Sequence, residues 1–200
     1  MVIPCLVFLT FSFGLFIQPA NSHAEKPWVT YHIEISDEHV ATLTADLLLA
    51  APPETVYAVL ADYPHWPELF SQRPTIHSIQ RENNRVRVSM TLTVSFLPIG
   101  LTLVTETREI PTTILHTTLV QGDFERYDWV WTLRPSQDSQ HTKASVLVHV
   151  QPSMWIPHWL LEWGLSSEFT DHFQKLRDAV QVRYREQGRT PIISAPPRSP

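Results

Sequence analysis

RVRVSMTLTVSF, residues 85–96, alternates without a break. Val86, Val88, Met90, Leu92, Val94 and Phe96 fall on one face, and Arg85, Arg87, Ser89, Thr91, Thr93 and Ser95 on the other. Successive side chains of a strand point to opposite sides, so a period of two describes a strand with one face in a core and one in water. Such half-buried strands belong to antiparallel sheets, because parallel sheets are covered on both faces.

Working outward, Asn83-Asn84 is a turn signal before this strand, and Leu97-Pro98-Ile99-Gly100 is another after it. Strands are expected over 101–110, 114–121 and 124–134, with Pro111 and Gly122-Asp123 as breaks. A polar loop over 136–142 precedes a last strand that buries Ala144, Val146, Val148 and Val150, and Pro152 ends it. Upstream, residues 29–35 and 40–50 read as strands, the second with Leu43, Ala45, Leu47 and Leu49 on one face. Pro52-Pro53 then opens a helix, since proline is tolerated in a first turn where its missing N–H would be unpaired anyway. That helix ends at Asp62-Tyr63-Pro64, and a second short helix over 65–71 is expected to bury Trp66, Leu69 and Phe70. Pro157 opens a long helix to about Glu186. Its apolar stripe is expected to be Trp159, Trp163, Phe169, Phe173, Leu176 and Val180, with Gly188 as its stop. The order is α+β: two short helices after the first core strand, an antiparallel meander, and one long C-terminal helix to cover its apolar face.

The chain has 200 residues, 43% hydrophobic and 18% charged, enough for one globular domain with terminal additions. A formal net charge of -5 offers no basic excess to neutralise phosphates, so nucleic acid is not an expected partner. Residues 1–24 contain no Lys, Arg, Asp or Glu, and an apolar run from Leu6 to Ile17 is followed by Ser22-His23-Ala24, small residues suited to signal-peptide cleavage before Glu25. The n-region lacks Lys and Arg, and the alternative is an uncleaved anchor; the run is shorter than the roughly 20 residues of a spanning helix. The single cysteine, Cys5, lies in this segment, so a mature chain would carry no disulfide. The expected organisation is a signal peptide over 1–24, an extension with an extra strand over 25–39, a ligand-binding domain over 40–186, and a disordered Pro-rich tail over 187–200. The expected location is the periplasm or outside the cell.

Residues 47–70, LLLAAPPETVYAVLADYPHWPELF, resemble the opening of the START-like (helix-grip, SRPBCC) superfamily. The resemblance is strongest to its polyketide cyclase/dehydrase and coenzyme-Q-binding START branch. There a strand leads into a helix of type P-E-x-V-(Y/F)-x-x-(L/V)-x-D, followed by an aromatic–proline segment. Residues 122–133, GDFERYDWVWTL, resemble that branch's later strand, in which Trp131 falls at a characteristic Trp. Asp123 stands where the coenzyme-Q branch commonly has proline. The resemblance spans about 40–186 and implies a helix-grip fold, a curved antiparallel sheet wrapped around the C-terminal helix. It also implies a cavity for a lipid, quinone, polyketide or similar molecule.

Val88, Met90 and Leu92 from the alternating strand, Tyr127, Trp129 and Trp131 from the strand over 124–134, and Phe169 and Phe173 from the long helix are the candidate ligand-binding residues. Each is either cavity wall or ordinary core. Glu106 with Arg108, and Arg126 with Asp128, are expected to point to water as cross-strand pairs, so no catalytic residue is assigned. The 10 His residues form no ligand-spaced cluster; His116 and His149, within strands, are the two to follow. Neither a Gly-x-Ser-x-Gly motif nor a phosphate-binding glycine loop is present, and no cofactor or metal is expected. The apolar segments 97–100 and 154–159 are either turns packed on the core or a cavity mouth that touches a membrane transiently. Three functions remain open: a monomeric, non-catalytic binder or carrier of a hydrophobic small molecule, a cyclase or dehydratase on a polyketide-like substrate, and an interaction module with a filled core.

Overall fold

The computed structural model describes residues 28–71, 73–93 and 100–189. Eight antiparallel strands form one sheet: β1 (Val29–Ile35), β2 (Ala41–Leu49), β3 (Thr75–Glu82), β4 (Arg85–Thr93), β5 (Gly100–Ile110), β6 (Ile114–Gly122), β7 (Phe124–Pro135) and β8 (Thr142–Pro152). Their spatial order is β1-β2-β8-β7-β6-β5-β4-β3. The short helix α1 (Pro53–Leu60) and a 3₁₀ segment, Tyr63–Leu69, lie between β2 and β3, and the long helix α2 (His158–Arg189) follows β8. This is the helix-grip arrangement, with α2 against the concave face of a curved antiparallel sheet.

The alternation that predicts β4 is realised: Val86, Val88 and Met90 are buried while Arg85 and Arg87 are exposed. Val94 to Ile99, including the expected Phe96 position and turn, fall outside the described residues. Residues 29–35 form the extra strand expected there. β1 pairs with β2 along its whole length and forms one edge of the sheet.

Three register shifts interrupt the sheet among the described residues, one of them in the β3–β4 pair between Ile76 and Ser78. In β7 the register shifts between Phe124 and Arg126, so Phe124 and Tyr127 reach the same face although they are an odd number of residues apart. In the β5–β6 pair it shifts between Val104 and Thr105. Gly122 closes β6 with φ 140°, and a Cβ there would stand 2.3 Å from the Thr102 carbonyl oxygen. Asp123 follows, and its carboxylate accepts from the Thr102 N–H at 2.7 Å and the Thr102 hydroxyl at 2.8 Å. Asp at this position therefore has a local role that proline lacks: its side chain fastens the β6–β7 corner to β5.

At the opposite end of β5, Glu109 points inward. Its carboxylate accepts from the Tyr63 hydroxyl at 2.7 Å, the Tyr57 hydroxyl at 3.1 Å and both terminal nitrogens of Arg81. One acid thus ties α1, the 3₁₀ segment and β3 to β5. Burial pushes the Glu109 carboxyl up, but the bonds and charge from Arg81 and the two tyrosine bonds outweigh it and hold it below the usual range. Burial, then the charge of Glu109, pushes the Tyr57 hydroxyl up to about 12.

Three expectations need correction. Residues 63–69 form a 3₁₀ helix that buries Tyr63 and Leu69, whereas Trp66 and Phe70 are half-buried. Three prolines within 63–74 limit N–H donors, which favours a short, tight segment over an α-helix. On α2, Trp159 and Trp163 are 69% and 56% exposed, and the buried residues are Leu161, Phe169, His172, Phe173, Leu176 and Val180. Trp159 lies two residues before Leu161, about 200° round the helix, so it faces away from the sheet; Trp163, though mostly exposed, edges the cavity under α2. Finally, Gly188 does not stop α2, which continues to Arg189. Gly188 stands in open space and costs the helix only the usual penalty of about 1 kcal/mol.

Candidate functional site

A cavity of about 360 Å³ lies between the N-terminal half of α2 and the concave face of the sheet. Its floor comes from five adjacent strands: Met90 and Leu92 of β4, Leu101 of β5, Leu115 and Thr117 of β6, Phe124, Tyr127, Trp129 and Trp131 of β7, and Val150 and Pro152 of β8. Trp66, Leu69 and Phe70 close one side, and Leu161, Leu165, Phe169 and His172 of α2 form the roof. The wall exists because strand periodicity sends every second side chain inward, while the helix-side residues come three or four apart.

Of the sequence-derived candidates, Met90, Leu92, Tyr127, Trp129, Trp131 and Phe169 all stand on this wall. Val88 and Phe173 do not; both are buried in the adjoining core, at 0% and 1% exposure. Trp131 and Phe173 do not oppose each other across the space. Their rings meet edge to face with centroids 6.4 Å apart, and Phe173 continues to Tyr31 of β1 at 6.1 Å. Trp129 meets Phe169 in the same manner at 5.5 Å.

The polar side chains pair as follows. Glu106 accepts from Arg85 and Arg87 on the outer face, and Arg108 and Arg126 are exposed there. His116 lies 3.2 Å from Asp128, and His149 Nδ1 lies 3.0 Å from the Thr42 hydroxyl. Neither histidine lines the cavity. At the rim, Glu168 accepts from the Ser71 backbone N–H at 2.9 Å and Asp171 from the Ser71 hydroxyl, fastening the loop after the 3₁₀ segment to α2.

The polar residue overlooked in the sequence is His172. It is 2% exposed and lines the cavity, with Nδ1 2.9 Å from the Leu69 carbonyl oxygen. Its position three after Phe169 and four before Leu176 places it in the inward stripe, which was the available signal. Burial pushes its pKa down to about 4, so the ring is neutral near pH 7. Its Nε2 and the indole Nε1 of Trp129 are both buried without a hydrogen-bond partner among the described residues. An unpaired buried polar group costs about 1–3 kcal/mol. Burial raises the Tyr127 hydroxyl well above the ordinary phenol range, so it stays protonated. Among the described residues, no group of three or more His, Cys, Asp or Glu could hold a metal ion, and no helix is long and apolar enough to cross a membrane.

A family profile described as "Polyketide cyclase / dehydrase and lipid transport" matches residues 49–176. The chain belongs to this family. The match runs from the end of β2 to the middle of α2 and so takes in every wall residue named above. No curated protein matches. Among solved structures, human STARD10 is similar with a TM-score of 0.61 at 15% identity, over 82% of this chain and 73% of that one. The Zhui aromatase/cyclase of a Streptomyces species gives 0.57 at 13% identity, over 76% of this chain and 98% of that one. A START superfamily protein of Mycobacterium smegmatis gives 0.54 at 16% identity, over 73% and 98%. At such identities the likeness establishes the fold alone.

Proposed function

We propose that the polyketide cyclase/dehydrase and lipid transport family member described here is a non-catalytic binder or carrier of a hydrophobic small molecule, lipid-, quinone- or polyketide-like. The observation that carries this reading is the cavity itself: about 360 Å³, walled mainly by aromatic and aliphatic side chains under α2. Apolar pockets of this size with a few polar groups are what small ligands occupy. The candidate ligand contacts are Met90, Leu92, Tyr127, Trp129, Trp131 and Phe169. General acid–base catalysis works best with a group that titrates near the working pH. His172, held low by burial, and Tyr127, held high, are both far from neutrality. The rim acids Glu168 and Asp171 are occupied by Ser71.

In this reading the chain is exported through residues 1–24, works as a monomer in the periplasm or outside the cell, and exchanges ligand by transient membrane contact. Trp155 and Trp159, 75% and 69% exposed, support that contact, because tryptophan favours the membrane–water boundary. A second reading, cyclase or dehydratase, is favoured by one observation: His172 and Tyr127 stand on the same wall. Native mass spectrometry of the chain purified from its own host, followed by organic extraction, tests the choice. A bound apolar molecule returned unchanged after prolonged incubation supports the carrier. Conversion of that molecule, abolished by His172→Phe, replaces it with the enzyme. N-terminal sequencing of the exported protein should begin at Glu25.

A further inference from the structure

We propose that His172 and Trp129 form a polar anchor that selects an apolar ligand bearing a hydroxyl group, an alcohol or a phenol, over one bearing only carbonyl or ether oxygens. The proposal rests on the reading of the cavity as a ligand site and specifies what that site takes.

The argument starts from the Leu69 carbonyl oxygen, 2.9 Å from His172 Nδ1. A carbonyl oxygen can only accept, so the Nδ1 position carries the proton. A neutral imidazole has a single N–H, which leaves Nε2 as a bare acceptor. Burial keeps the ring in that neutral form. Trp129 supplies the opposite: its indole nitrogen is a donor and cannot accept. The two rings stand edge to face with centroids 5.4 Å apart, both residues line the cavity, and both nitrogens lack partners among the described residues. Two wall residues in ring contact therefore carry one unused acceptor and one unused donor, each just beneath the wall surface.

Few neutral groups answer both. A hydroxyl donates its proton to Nε2 and accepts from the indole N–H through a lone pair. A ketone, quinone or ether accepts from Trp129 and leaves His172 unpaired. A carboxylate does the same and adds a charge, while no Lys or Arg stands on the cavity wall among the described residues. The Thr117 hydroxyl does not fill this role, since it is bonded to Thr107 at 2.8 Å. The Tyr127 hydroxyl can donate or accept and so does not discriminate. Both unused nitrogens are covered in this structure, so a ligand hydroxyl seats with a small shift of the Trp129 ring while His172 stays on the Leu69 carbonyl.

Calorimetric titration of the full-length chain with naphthol, methoxynaphthalene and naphthoquinone tests the anchor, since the three share a ring system and differ in the oxygen. Naphthol should bind at least about tenfold more tightly than the other two. His172→Leu should bring the affinities for naphthol and the ether within about twofold of each other, and Trp129→Phe should reduce the preference. Should His172→Leu fail to fold by circular dichroism, the ¹⁵N resonance of His172 Nε2 in the unmutated chain decides: it should shift with naphthol and stay in place with the ether. Equal affinity for naphthol and ether, in a chain that binds both, overturns the anchor and leaves the cavity reading standing. Failure of all three probes to bind overturns the cavity reading and the anchor with it.

Discussion

Glu109 faces Arg81 with both carboxylate oxygens, Oε2 2.8 Å from Nη1 and Oε1 3.1 Å from Nη2. The acid is 6% exposed and the base 49%, so this is a buried carboxylate reached by a cation from the surface. Two tyrosine hydroxyls complete its shell. Removing the acid leaves both phenols without their acceptor, and Glu109→Ala should destabilise the chain by about 2–4 kcal/mol, discounted for the half-exposed Arg81. Urea unfolding checks this. Because the folded pKa is depressed, the contribution of Glu109 is present above its unfolded value and is lost as pH falls through the lower, folded one.

His172 acts in a different pH window. Its folded pKa is near 4 against 6.5 when unfolded, so between those values the unfolded chain binds the extra proton. Stability should therefore fall as pH is lowered from about 6.5 to 4, by on the order of 3 kcal/mol. His172→Phe should flatten that part of the pH profile and leave the acid limb due to Glu109. A profile unchanged by the substitution would show that His172 is solvated in solution.

Gly122 is constrained by both its backbone and its neighbours. An alanine at φ 140° would bring Cβ to 2.3 Å from the Thr102 oxygen and 2.6 Å from the Leu103 Cα, and backbone on both sides leaves nothing flexible to yield. Gly122→Ala should cost about 3 kcal/mol. Gly188→Ala is the control: it meets no atom within 4 Å and should stabilise the helix slightly, which thermal unfolding can read.

Trp131 lies on the cavity wall and against Phe173, so packing and binding overlap in one side chain. Trp131→Ala should cost about 3–5 kcal/mol of stability and also weaken a hydrophobic fluorescent probe. Unfolding and probe titration on the same variant separate the two. Intact probe affinity with a large loss of stability would make Trp131 packing alone.

Trp155 and Trp159 are exposed, so the double change to alanine should alter stability by no more than about 0.5 kcal/mol. Sedimentation with neutral phosphatidylcholine vesicles should detect binding by the unmodified chain and its loss in the variant. Equal sedimentation of the two would remove the membrane contact from the proposed function.

The alternating strands were legible because alternation is a local rule, whereas β3, exposed along most of its length, carries no such pattern. β4 and β8 alternate residue by residue, and their buried faces follow directly. The Pro52-Pro53 and Pro157 signals likewise set the starts of both α-helices within a residue. The site was half legible. Met90, Leu92, Tyr127, Trp129, Trp131 and Phe169 share a wall because alternation and helical spacing indicate which way each points. Val88 and Phe173 obey the same rules yet miss the cavity, since inward direction does not say whether the space beyond holds a side chain or a void. Trp159 and Trp163 are mostly exposed because Trp163 stands six residues, about 240° round the helix, before Phe169, while the inward stripe runs through Leu161 and Leu165, and a hydrophobic residue carries no mark of the side on which the sheet lies.

Local chemistry within the sequence thus determined the α+β element order, the two-sided character of the sheet, and the family signature over 47–70. Period, turn residues and proline placement act over a few residues and can be read there. Only the tertiary structure decided where the sheet bends, which aromatics meet α2, and that a histidine and an indole are left unpaired side by side. Those outcomes depend on residues far apart in the chain. The Leu69 carbonyl fixes the tautomer of His172 from 103 positions away, and Glu109 draws its partners from α1, the 3₁₀ segment and β3. A hydrogen bond acts over about 3 Å of space whatever the separation in sequence, so its partners are set by the fold.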